Sequence, residues 1–454
     1  MTILGPILSL LFIVITALLL LKKYHPHAVL LISGLLMLVV ALIIDHKMPV
    51  LNDSTGFSGF DLFRYIKESF SETNAGVGLM IMAIGGFVAY IDKIGASNAL
   101  VYVAMKPLKL FKSRPYIAAS LVIPIGQILF VAIPSAAGLG LLLMASLFPI
   151  LTNLGVSRLS AVSVITATTA FGIGPASAIT ASSTEIIGVD TISFFLSNQI
   201  PLVIPLSIIM MITYYFVNRY FDSKNKPTKK DILKTEEKPL NVPLVYALIP
   251  ILPIILLIAF SEIFSLFTTP ISLDTTTAMF ISLFIALIFE LVRTKSLKAV
   301  FESLKIFWGG MGNIFKSVVT LIIAADIFAK GLISLGFIDG LIDVSQNLGF
   351  NAIGISIVMT VMIFLASMLM GSGNASFFAF GPLVPKIATK LGVDSTSIIL
   401  PMQLSASMGR AVSPVSGVLI AVSEIAGVTT LAIVKRNLIP LTVALIIMLC
   451  YHFI

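Results

Sequence analysis

Long apolar runs separated by short polar segments dominate this chain. Runs near 4–22, 27–45, 75–98, 157–189, 199–218, 243–260, 274–292, 314–336, 394–424 and 437–454 approach or exceed the ~20 residues an α-helix needs to cross a hydrocarbon core about 30 Å thick. Two further apolar stretches, 115–154 and 351–391, are too long and too interrupted for a single crossing. Each has a small-residue turn in its middle: Pro134-Ser135-Ala136-Ala137-Gly138 in the first, Gly371-Ser372-Gly373-Asn374-Ala375 in the second. The pattern predicts a re-entrant hairpin in each, because non-helical backbone at membrane depth survives only inside protein or beside a water-filled cavity. Segments around Phe60–Ile66 and Phe301–Phe307 alternate charged and apolar residues and predict amphipathic helices lying at the interface.

Composition supports a membrane protein: 58% of residues are hydrophobic and 11% charged, against about a quarter charged in soluble domains. The net charge of +8 does not point to nucleic acid, because the lysines and arginines concentrate in alternate loops. With the N-terminus outside, 22 Lys/Arg fall on the inner side, six on the outer side, and Arg410 within a span, which accounts for all 29. This positive-inside bias makes Phe221–Leu240 (FDSKNKPTKKDILKTEEKPL) a cytoplasmic linker between halves 1–220 and 243–454. The first run starts at once in Met1-Thr2-Ile3-Leu4, so it predicts a retained helix, not a cleaved leader. A single cysteine (Cys450) and four scattered histidines give no metal-binding spacing, and no metal or other cofactor is expected.

The halves resemble each other. At a separation of 237, Ser135 matches Ser372, Gly155-Val156 matches Gly392-Val393, and Gly172 matches Gly409. At 239, Pro175 matches Pro414, Ser177 matches Ser416, Glu185 matches Glu424, Gly188-Val189 matches Gly427-Val428, Asn198 matches Asn437 and Pro201 matches Pro440. Five crossings and one hairpin per half place the second copy upside down. The expected fold is therefore all-α and polytopic, two inverted repeats forming scaffold and transport domains. Such repeats with broken helices are the architecture of alternating-access carriers.

The chemistry is expected where four backbone breaks meet: the two hairpin tips and two interrupted helices. The helix breaks are Gly172-Ile173-Gly174-Pro175-Ala176-Ser177 and Gly409-Arg410-Ala411-Val412-Ser413-Pro414. Ser413-Pro414 has the chemistry of a helix start, with serine at the N-cap and proline at N1. Converging helix N-termini favour an anion. Arg410, costly in a span, fits either a substrate carboxylate or a partner such as Asp326 or loop carbonyls. Ser372, Gly373, Asn374 and Ser376 at the second tip, and Ser135, Ala136 and Ala137 at the first, are candidate substrate contacts with Gly174, Ser177, Ser413 and Ser416. Asp326, Glu185 and Glu424 are candidates for coupling to protons; the two glutamates equally fit interfacial helix ends. A membrane enzyme would need clustered acids or histidines near one interface, which the loops lack.

Gly371-Ser372-Gly373-Asn374-Ala375 and Gly409-Arg410-Ala411-Val412-Ser413-Pro414-Val415-Ser416-Gly417-Val418 resemble the anaerobic four-carbon-dicarboxylate carriers of the Dcu C type. Pro134–Gly140 and Leu154–Arg158 extend the resemblance into the first half. It implies movement of succinate, fumarate or malate across a bacterial inner membrane, by antiport or proton symport, in a superfamily whose members often form homodimers. Sodium-coupled members of that superfamily tend to carry Ser-Asn-Thr at both tips. Here the tips read Ser135-Ala136-Ala137 and Ser372-Gly373-Asn374, so protons or exchange are expected ahead of sodium. The alternative is an amino-acid or other small-carboxylate carrier of the same superfamily.

Overall fold

The computed structural model describes residues 4–111, 113–224, 241–261, 271, 273–347 and 350–453. Among them every regular element is helical, and ten helices are long and apolar enough to span a membrane. The chain is a multi-pass membrane protein.

The first half opens with α1 (Leu4–Leu21), α2 (Pro26–Ile43), α3 (Ser58–Thr73), α4 (Leu79–Lys93) and α5 (Ala96–Met105). It continues with α6 (Pro115–Ala132), α7 (Ala136–Ser146), α8 (Phe148–Asn153), α9 (Arg158–Ala167) and α10 (Ala178–Ile187), and closes with α11 (Thr191–Phe194) and α12 (Ile200–Lys224). The second half repeats the succession: α13 (Leu252–Ala259), α14 (Thr275–Thr294), α15 (Leu297–Ile314), α16 (Thr320–Ser334) and α17 (Phe337–Asn347), then α18 (Ala352–Met370), α19 (Gly373–Phe380), α20 (Val384–Leu391), α21 (Ser395–Ala411), α22 (Gly417–Ala426) and α23 (Thr430–Phe453). Most of the proposed linker, 225–240, lies outside the described residues, and α12 runs on to Lys224.

The two segments expected to be amphipathic interfacial helices are helical. Phe60–Ile66 falls in α3, which continues into α4 through a π-turn at Asn74–Gly78; Phe301–Phe307 falls in α15, which continues into α16 through a π-turn at Phe315–Val319. The helical run spans 36 residues in the first half and 38 in the second. At Gly76 the first of these turns leaves helical backbone (φ −98°, ψ −115°), so α3 meets α4 at a kink, whereas the second carries its helix on through Phe315–Val319.

The two long helices exchange partners across the halves: α15 packs on α4, α16 on α3, α16 on α2 and α14 on α4. Small residues permit the approach. A Cβ on Gly34 would meet Ile327 O at 2.7 Å, and one on Gly310 would meet Gly85 O at 2.8 Å. In lipid, where apolar surface gains little by helix contact, such backbone proximity carries the association.

In each stretch the central turn is a tight connection, between α6 and α7 in the first and between α18 and α19 in the second. Ser135 caps α7, its Oγ accepting from Gly138 N at 3.1 Å; Ser372 caps α19, its Oγ accepting from Ala375 N at 3.2 Å. Gly371 ends α18 at φ +73°, a conformation that costs glycine little.

Candidate functional site

Both interrupted helices are present. Between α9 and α10 the residues Gly172, Gly174 (φ +96°) and Pro175 prevent a continuous helix. Between α21 and α22, Pro414 lacks an N–H and disfavours helical backbone at Ser413. The helix starts differ from expectation. Ser413 is not the N-cap; its Oγ accepts from Val415 N at 3.3 Å in a local turn. α22 begins at Gly417 behind Ser416, and α10 begins at Ala178 behind Ser177. Pro414 therefore lies in the break, three residues before the first helical residue, and stiffens the connection instead of starting the helix.

Neither N-cap serine caps with its side chain. Ser177 Oγ donates to Gly172 O at 3.3 Å. Ser416 Oγ is fully buried with no hydrogen-bond partner among the described residues. The first turn of α22 thus keeps its free N–H groups and half-charge beside an unsatisfied hydroxyl.

Arg410 sits in the last turn of α21 and reaches the other half. Its Nη2 donates to Thr169 O in the α9–α10 break, while Nη1 is inaccessible to solvent and has no partner among the described residues. Of the two readings of this arginine, the loop-carbonyl pairing is seen. Asp326 instead pairs with Lys330 Nζ at 2.7 Å and accepts from Ser69 on α3.

The break is docked on one face of α21. Gln403, Ser407 and Arg410, at i, i+4 and i+7, share that face. Gln403 Nε2 donates to Gly172 O at 2.8 Å and to Thr180 Oγ1 at 2.9 Å, and a Cβ on Gly172 would lie 2.6 Å from Ser407 Oγ. Gln199 supports the same turn, accepting from Gly174 N at 2.9 Å and donating to Thr180 Oγ1 at 3.0 Å. Asn437 on α23 bridges the halves, donating to Thr166 Oγ1 at 2.9 Å and to Ala411 O at 3.0 Å. Thr169, Gln199, Gln403 and Ser407 were not singled out from sequence, though an amide within an apolar run is a usable signal: its burial demands partners.

The second hairpin tip closes on this cluster. A Cβ on Gly371 would meet Val415 O at 2.8 Å and one on Gly373 would meet Ala406 O at 2.8 Å. Ser376 is buried and spends its hydroxyl on Ser372 O (3.2 Å) and Gly373 O (3.0 Å). Asn374, half-buried, makes no hydrogen bond to the described residues. The first tip adjoins through apolar contacts: Val131 touches the Gly174 turn and Gly140 faces Val418 of α22. Ser135 is engaged by Gly138, and Ala136 and Ala137 offer only backbone. Glu185 and Glu424, near the C-terminal ends of α10 and α22, are exposed and outside the cluster, Glu185 lying beside Gly76 in the first π-turn.

The all-helical, polytopic fold holds two broken helices bridged by an arginine nitrogen, Arg410 Nη2 on Thr169 O, and its likenesses are to membrane transporters. The YdaH transporter of Alcanivorax borkumensis superposes with a TM-score of 0.61 at 14% identity, covering 94% of this chain and 98% of that one. MtrF of Neisseria gonorrhoeae gives 0.62 at 13% identity, covering 94% of each chain. At such identity the likeness is one of fold. The chain belongs to the DcuC family, described as C4-dicarboxylate anaerobic carriers, whose model matches residues 4–454. It is 34% identical over 429 residues to the anaerobic C4-dicarboxylate transporter DcuC of Escherichia coli K12, covering 94% of this chain and 92% of the relative. The corresponding Vibrio cholerae protein, named a probable transporter of this kind, is 35% identical over the same length. The chain is a transporter-family member and not an enzyme.

Proposed function

We propose that this protein is a secondary active carrier of C4-dicarboxylates such as succinate, fumarate and malate across the bacterial inner membrane. The observation that carries the reading is Arg410: one guanidinium nitrogen is anchored on Thr169 O and the other is buried without a partner. A buried donor left unpaired costs about 1–3 kcal/mol, more when charged, and a substrate carboxylate satisfies it. Ser416 Oγ and the first turn of α22 supply further donors, and Asn374 an amide from the second tip. Carboxylate recognition by a half-engaged arginine and a helix start agrees with the chemistry in the names of the relatives.

Alternating access follows from the repeat. The crosswise packing of α15 on α4 and α16 on α3 is what an inverted duplication produces, and it supports two re-entrant hairpins carried with the broken helices. In this reading the N-terminus is outside and the central linker is cytoplasmic. Transport proceeds by exchange or with protons, without sodium, and the carrier works as a homodimer.

The test is radiolabelled succinate uptake into proteoliposomes, with internal diacid present or absent and pH and sodium varied separately. Uptake stimulated by internal fumarate or by external acid is expected. A correctly inserted protein that moves no diacid under any condition, but moves an amino acid, would replace this reading with the alternative substrate class.

A further inference from the structure

Among the described residues six acids are at least partly withdrawn from solvent: Asp61, Glu68, Asp92, Asp222, Glu290 and Asp326. Three have a basic partner: Asp222 with Arg436, Glu290 with Arg293 and Asp326 with Lys330. Asp61 and Glu68 are bonded by Ser54, Thr55 and Asn52 in the connection between α2 and α3. Asp92 stands apart. It ends α4 with a single hydrogen bond, donated by Ser97, and no basic group pairs with it. Its Oδ2 lies 3.8 Å from where a Cβ on Gly138 would be, in the first turn of α7. That turn is the one capped by Ser135, so Asp92 faces the tip of the first hairpin.

We infer that Asp92 is the proton-binding site through which the first hairpin is coupled to a proton gradient. The inference rests on the carrier reading above and names the group that takes the proton. A negative carboxylate is favoured beside a helix start, so ionised Asp92 holds α7 in the observed position. Protonation removes that attraction and makes the site neutral, which lowers the cost of separating hairpin and α4 within an apolar interior. By linkage, Asp92 binds a proton more tightly once the hairpin is displaced from it. The charged groups on elements packed against α4 do not substitute for it. α5 and α7 carry none; Arg293, Lys298, Glu302, Lys305 and Lys316 are exposed, as is the adjacent Lys93. Glu290 is paired with Arg293, and Glu185 lies at Gly76, near the opposite end of the bent helix.

Succinate flux in proteoliposomes separates coupling from exchange. Wild-type uptake should accelerate several-fold when the exterior is acidified. Asp92→Asn should lose that acceleration yet keep succinate–succinate exchange at neutral pH near the wild-type rate. Asp92→Glu should restore acceleration with a shifted pH midpoint. Retained acceleration in Asp92→Asn, loss of exchange together with acceleration in both variants, or wild-type uptake indifferent to external pH each overturns the inference. A wild-type protein that exchanges no diacid at all would instead overturn the carrier reading itself.

Discussion

Arg410 Nη2 donates a hydrogen bond to Thr169 O, joining residues 241 apart in sequence. The contact orients the guanidinium between the two broken helices and leaves Nη1 free. One nitrogen sets geometry, and in the proposed function the other takes the anion. An arginine provides both through its rigid fork, where a lysine offers only a single point charge.

Replacing Arg410 with alanine is expected to reduce dicarboxylate flux by roughly 10- to 150-fold, the equivalent of ~1.5–3 kcal/mol for a charged hydrogen bond. Arg410→Lys should recover little of it. Exchange assays on variants confirmed to insert would check this, and near-normal flux in Arg410→Ala would remove the residue from the site.

Ser416→Ala should raise the apparent KM several-fold, because its buried hydroxyl has no partner to lose within the protein. The same change at Ser413 breaks the turn hydrogen bond to Val415 N and should lower thermal stability more than it alters KM. Paired KM and thermal-unfolding measurements distinguish the two; identical profiles would contradict the separate roles.

Gln403→Ala removes one hydrogen bond from the carbonyl of Gly172 and one from the hydroxyl of Thr180, which keep Ser177 and Gln199 as partners. An expected loss of about 0.5–1.5 kcal/mol per hydrogen bond should appear as a lower unfolding temperature in detergent, with slower transport, because the break is held less firmly on α21. An unchanged melting temperature would argue against the docking role.

Arg436 and Asp222 form a buried pair at 3.1 Å, with Ser160 donating to Asp222 at 2.7 Å. Asp222→Ala should destabilise by about 3–5 kcal/mol, since it leaves a buried cation unpaired. Replacing both by apolar residues of similar size should restore most of that loss. A double-mutant cycle on thermal unfolding reads the coupling, and additive losses would refute it.

Much of the fold was legible in the apolar runs. The spans at 4–22 and 27–45 match α1 and α2 within two residues at each end, because a hydrocarbon core imposes length directly. The breaks were legible too, since Gly174-Pro175 and Ser413-Pro414 cannot continue a helix. Helix starts within those breaks were not, because capping depends on where the chain turns and not on a Ser-Pro pair alone. Lys435 and Arg436 illustrate the same limit. Counted as loop residues, they belong to α23, and Arg436 is buried against Asp222; its position became clear only when its partner 214 residues away was seen.

By itself the sequence determined a polytopic helical protein with matching residues in its two halves, small-residue tips and one arginine in a broken helix. These follow from local rules: hydrophobic length, the missing N–H of proline and the freedom of glycine. Only the tertiary structure decided that Arg410 bonds Thr169 and not Asp326, that Gln403 and Gln199 hold the first break, and that Asp92 faces the first hairpin. Such pairings depend on which buried polar groups the packing of distant helices brings within reach, and no local pattern in the chain encodes that distance.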